Sequence, residues 1–229
     1  LTFFLVVCLA AVLCLAPLAG YLLWLTVLTR RERPTVVSGT WDFIGLLVGL
    51  CGFILFGGVL LLTLVQSNFR FWARGNFEAV KAAWGQEKTS WALVAVGYLV
   101  LVVGGTYLTL SARRRSLVVY NVDPERFETL LAEVFENLGR PAERRGNQWV
   151  SGVPLCELDP FAAGKTVTLR WLCDDRALFQ EVERHLRDVA RTVVTLDNPA
   201  GRWLAGAAIG CVVVIAFCLV FFIGLAVFR

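Results

Sequence analysis

Histidine occurs once in this 229-residue sequence, at position 185, and methionine does not occur at all. A single imidazole leaves a metal centre dependent on cysteine, and of the seven cysteines only Cys156 and Cys173 lie outside the long apolar stretches. These two are not in CxxC spacing, and with His185 they form at most an incomplete ligand set, so no metal is expected. Charge is scarce too. Asp, Glu, Lys and Arg supply 17% of the residues against 57% hydrophobic, with a mean hydropathy of +0.67. A soluble domain of this length needs far more polar surface, which excludes the whole chain from that class. The net charge of +4 is modest, so no nucleic-acid partner is expected, although an open sheet face bearing Tyr120 or Trp149 has the chemistry to stack a base.

Signature motifs are missing as well. The chain has no GxxxxGK[ST], no GxGxxG after a strand, no HExxH, no GxSxG and no kinase set. Gly164-Lys165 lacks the preceding glycine and the following helix that a phosphate loop requires. No cofactor is expected, and no catalytic, cofactor-binding or metal-binding residue is nominated. The five other cysteines, Cys8, Cys14, Cys51, Cys211 and Cys218, sit in apolar stretches where a thiol behaves as a small hydrophobe. His185, four residues after Glu181, reads as a surface or partly packed ring. Asp174 and Asp175 precede a helical stripe and read as caps.

What is present is concentrated in four apolar blocks, Leu1–Leu28, Phe43–Val65, Trp91–Leu110 and Leu204–Phe228, none containing Asp, Glu, Lys, Arg or His. Each is about 20 residues or longer, enough to span a hydrocarbon core of about 30 Å. The first block lacks a basic flank and a small-x-small cleavage site and is longer than a signal-peptide core, so a retained span is expected. A sequence that opens on Leu1 and holds no Met is expected to have a truncated or processed N-terminus. Trp24, Trp41, Trp91 and Trp203 fall near block ends, where an amphipathic ring suits the headgroup region. Pro17 should kink the first span for architectural reasons.

Arginine sets the expected orientation. Arg30, Arg31, Arg33, Arg113, Arg114, Arg115 and Arg202 fall on one side of a four-span topology, against Arg70, Arg74, Lys81, Lys88 and Arg229 on the other. Seven against five places both termini outside and the insertion in the cytoplasm. Nineteen arginines against three lysines point to a GC-rich bacterial gene and thus to the inner membrane.

The segment Phe69–Lys88 is too charged to span. Phe69, Trp72, Ala73, Phe77, Val80 and Trp84 fall on one side at 100° per residue, opposite Arg70, Arg74, Glu78, Lys81 and Lys88, which predicts an amphipathic interfacial helix. Within the spans, Gly45, Gly49, Gly52, Gly57 and Gly58, and the GxxxG pair Gly206 and Gly210, predict close helix packing within the chain or between copies.

Between the third and fourth blocks, Ser116–Asp197 predicts one small soluble α+β domain. Leu117–Val122 reads as a strand, followed by a helix that starts at Asp123-Pro124 and stops at Gly139. Glu143–Arg145 and Gln148–Ser151 flank a Gly146-Asn147 turn, and Val153–Leu158 follows as a strand. In Lys165–Cys173, Val167, Leu169 and Trp171 alternate with Thr166, Thr168 and Arg170, which predicts a strand covered on one face only. A second helix runs from Asp174-Asp175 to about Arg191, with Glu183–Arg187 and Arg184–Asp188 as i,i+4 pairs. A last strand at Val193–Leu196 completes a ferredoxin-like, split βαβ order.

The expected fold class is therefore an α-helical multi-pass membrane protein of about four transmembrane helices, with an inserted small α+β domain of ferredoxin-like type. The function that fits is a membrane-anchored interaction or assembly subunit that docks a protein partner or forms a homo-oligomer, with membrane lipids around its spans. The alternative is a small transporter or transport-associated subunit. Spans without ionisable groups restrict it to a neutral or lipid-like substrate, with hydroxyls such as Thr63, Tyr98, Thr106 and Tyr107 available. An enzyme is not expected, because no nucleophile and base can be paired.

Overall fold

The computed structural model describes residues 2–65, 78, 82, 88–195 and 198–227. Four helices are long and apolar enough to cross a membrane: α1 (Thr2–Thr29), α2 (Gly39–Val65), α3 (Lys88–Arg113) and α6 (Ala200–Val227). Two shorter helices, α4 (Pro124–Asn137) and α5 (Arg176–Thr192), accompany a small antiparallel sheet. The interfacial helix expected at Phe69–Lys88 lies outside the described residues, apart from Glu78, Ala82 and Lys88, which opens α3.

The chain divides into two compact units. The first takes in residues up to Tyr21, Leu47–Thr109 and the chain from Ala207 onward. Its glycines work as the sequence suggests in α2. A Cβ on Gly52 would lie 2.3 Å from the Leu13 carbonyl oxygen and 2.6 Å from Cys14 Cα, so only glycine permits this approach of α2 to α1. Gly58 likewise leaves room for the Tyr98 ring, whose hydroxyl donates to the Ile54 carbonyl. Helix α1 runs through Pro17 without interruption. The outward sides of these helices are apolar: Leu55, Leu101 and Phe217 are each more than two-thirds exposed. Surface of this kind is stable against hydrocarbon and not against water.

The second unit, Leu22–Leu46 with Leu110–Gly206, contains the sheet. Its strands are β1 (Thr35–Ser38), β2 (Ser116–Tyr120), β3 (Glu143–Arg145), β4 (Gln148–Ser151), β5 (Val153–Phe161) and β6 (Thr166–Trp171), in the order β1-β2-β6-β5-β4-β3. Every neighbouring pair is antiparallel. The split βαβ of the ferredoxin-like expectation is present in this order, since β2 and β5 run parallel with β6 between them, and the correction concerns only the closing strand expected at Val193–Leu196. Residues 193–195 form no strand. The edge of β2 that a closing strand would occupy is taken by β1, from the segment between α1 and α2, through the register Val36↔Val119. Thr195 instead turns to the Glu32 carbonyl, to which its N–H donates at 2.8 Å and its hydroxyl at 3.1 Å.

The alternation read in β6 holds. Val167, Leu169 and Trp171 join Leu117, Val119 and Leu158 in a core covered by Phe127, Leu131, Phe135 of α4 and Val182, Leu186 of α5. Gly139 ends α4 with φ +66°, while the Arg140 N–H returns to the Phe135 carbonyl at 3.0 Å. Of the two acids before α5, Asp175 is the cap and accepts from the Leu178 N–H at 3.0 Å. On the opposite face of the sheet, Val118 and Tyr120 are buried with Leu28 at the end of α1.

Candidate functional site

The polar features of the second unit gather where the sheet meets the helix ends. Asp42 lies in the first turn of α2, where a negative charge complements the helix dipole. Its carboxylate accepts a hydrogen bond from the Tyr120 hydroxyl of β2 and pairs with Arg113 Nη1 of α3 at 3.3 Å. The Arg113 guanidinium also stands 5.4 Å from the centroid of the Phe43 ring. One carboxylate thus ties two long helices to the sheet. Asn121, 1% exposed and at φ 59°, adds a second tie by donating to the Arg31 carbonyl and, at 2.7 Å, to Thr195 Oγ1. Asn198 makes a third: its amide donates to the Gly164 carbonyl at 3.0 Å, and its oxygen accepts from the Ala200 N–H that opens α6.

Two arginine-lined clefts flank these ties. The first, about 570 Å³, lies between the turn carrying Arg31 and Arg33 and the C-terminal half of α5 with Arg187 and Arg191. It is partly neutralised, because Arg187 pairs with Glu183 at 2.6 Å and Arg191 with Asp188 at 3.6 Å. Arg184 was expected to take Asp188; Arg191 takes it instead. The partial negative charge of the α5 C-terminus further offsets this cleft.

The second cleft, about 730 Å³, is lined by Arg114 and Arg115 after α3, Arg170 near the end of β6 and Arg176 at the start of α5. Ala112, Leu172 and Phe179 give it an apolar wall, and Glu183, whose carboxylate pairs with Arg187, is the one acid in its lining. Only Arg115 is paired, to Asp174, and that guanidinium holds the Asp174 carboxyl below its ordinary value by hydrogen bond and by charge. Arg114, Arg170 and Arg176 make no ion pair among the described residues. The pairing of β2 with β6 assembles this cleft, since Ser116 stands opposite Arg170 and the Trp171 N–H donates to the Arg115 carbonyl at 2.8 Å.

The residues weighed for chemistry in the sequence are scattered. Cys156 is fully buried in the core, and burial pushes its thiol up to about 12. His185 is exposed, with Nδ1 3.0 Å from the Glu181 carbonyl, and Cys173 is half-buried. Among the described residues no group of three or more His, Cys, Asp or Glu stands close enough to hold a metal. Lys165 pairs with Asp123 at 3.4 Å rather than cradling an anion. Trp149 lies inside the core, 5.9 Å from Phe135, and Tyr120 is buried, so neither ring offers a face for stacking.

Sequence reading missed Asp42, because the apolar block begins one residue after it. It also read Arg114 and Arg115 as topology signals and Arg170 as an outward strand residue. The alternation of β6 was the available clue, but the register that brings Arg170 beside Arg115 is non-local. In comparison with known proteins, no protein-family model, no curated protein and no solved structure matches this chain.

Proposed function

We propose that this chain is a multi-pass protein of a bacterial inner membrane whose sheet domain faces the cytoplasm and docks a protein partner. The observation that carries this reading is the way the sheet is held within its own unit. Asp42, Asn121 and Asn198 hydrogen-bond the sheet and its loops to other segments of that unit, so the sheet surface is an ordered platform. A rigid platform lowers the ordering cost of a docking partner. The outer part of its uncovered face carries Glu157, Asp159, Arg170 and the 64%-exposed Phe161, a mixed polar surface around an aromatic anchor. The long helices contribute apolar surface and close glycine packing, which suits an anchor.

A photo-crosslinking residue placed at Asp159 on that face, or at Glu133 on the exposed side of α4, tests the reading in native membranes. Docking predicts one adduct of defined mass from position 159 and none from 133. If position 159 gives no adduct, the platform has no stable partner, and carriage of a neutral or lipid-like molecule becomes the better reading.

A further inference from the structure

The two arginine clefts differ in a way that separates a structural feature from a binding site. In the first, two of four guanidiniums are matched by acids of their own helix. In the second, three of four are unmatched among the described residues, the lining acid Glu183 is taken by Arg187, and the cleft opens at the N-terminal end of α5, where the helix dipole adds positive potential. Three unneutralised guanidiniums around one cavity repel one another, an arrangement that an anion relieves. The geometry points to the second cleft as a site for the phosphate-bearing headgroup of an anionic lipid.

Its place along the chain favours a lipid over a free phosphate. Ser111 and Ala112 of its lining belong to the last turn of α3, and the candidate span Ala92–Arg113 ends there, at headgroup level. Leu172, 41% exposed, and Phe179 supply the apolar wall that a glycerol backbone and the first acyl carbons require. Planar guanidiniums suit bidentate contacts with phosphate oxygens. The inference rests on the reading of α3 as a membrane span; it shares Arg170 with the face proposed for docking, and its test reads lipid binding by the purified chain with no protein partner present.

The test uses the full chain purified in a neutral detergent and titrated with dioctanoyl phosphatidylglycerol, dioctanoyl phosphatidylcholine, inorganic phosphate or an acidic decapeptide. Phosphatidylglycerol should bind with clear preference over the other three. Replacing Arg114, Arg170 and Arg176 together by Gln should weaken it about a hundredfold, at roughly a factor of five per guanidinium. Arg176→Gln alone, at an exposed position that cannot unfold the domain, should weaken it about fivefold. The matched triple Arg31→Gln, Arg33→Gln and Arg191→Gln in the first cleft should bind as the parent does. Equal binding of phosphatidylcholine, or an Arg176→Gln protein that binds unchanged, would overturn the assignment. Phosphate or the peptide matching the lipid would overturn it in favour of that ligand class. Alkaline carbonate extraction of membranes checks the span by itself: release into the supernatant sinks the membrane reading, whereas a retained chain indifferent to phosphatidylglycerol sinks only the lipid site.

Discussion

At the scale of single residues, the informative groups are those whose surroundings fix their chemistry. Asp42 is 13% exposed at its side chain and serves two donors, so truncation strands both. Asp42→Ala is expected to destabilise the protein by about 1–3 kcal/mol, with the lower end favoured because Arg113 remains 40% exposed and regains water. Asp42→Asn keeps an acceptor for Tyr120 and should lose less; thermal unfolding in detergent ranks the two. Cys156 gives a pH prediction. Its folded value of about 12 lies above the ordinary 9.0, so its contribution is intact below pH 9 and is lost as pH rises toward 12, where the unfolded thiol ionises and the folded one does not. The parent should therefore lose up to about 4 kcal/mol more than Cys156→Ala across that window. Parallel unfolding curves for the two proteins between pH 9 and 12 would contradict it.

At the scale of elements, legibility followed the range of the interactions. The strands β2 and β6 and the helices α4 and α5 could be read because their signals are local: alternation around Leu169, an apolar stripe from Phe127 to Phe135, the stop at Gly139 and the cap at Asp175. The strand β1 could not. Thr35–Ser38 is four residues long, and its partner Tyr120 lies beyond two long helices. Val193–Leu196 has equally good β-branched composition, yet propensity cannot reveal that its edge is already occupied. The same contrast applies to glycine. A Cβ on Gly52 would meet the α1 backbone, whereas one on Gly206 or Gly210 would meet nothing within 4 Å among the described residues, although all three read alike in sequence. Gly52→Ala should cost about 1–3 kcal/mol by overpacking. Gly210→Ala should be neutral or slightly stabilising through helix propensity, at most about 1 kcal/mol. Unfolding of the two variants side by side decides it.

At the scale of the whole molecule, the four long apolar helices were plain in the sequence because composition alone specifies them, while the candidate site was not. Its arginines come from three separated stretches that only the β2–β6 register unites. The topology proposed from arginine makes a direct prediction: a periplasm-active reporter fused after Arg229 should be active, and one inserted at the Gly146-Asn147 turn should be silent. The reverse pattern would put the sheet outside. The β1–β2 pairing also has a consequence in time. Thr35 leaves the ribosome roughly 85 residues before Tyr120, so at about 5–20 residues per second the first strand waits on the order of 4–17 seconds for its neighbour. If α2 and α3 cross a membrane, both must be threaded during that interval, and a chain that left the Thr35–Ser38 segment on the other side from β2 would keep an unpaired sheet edge.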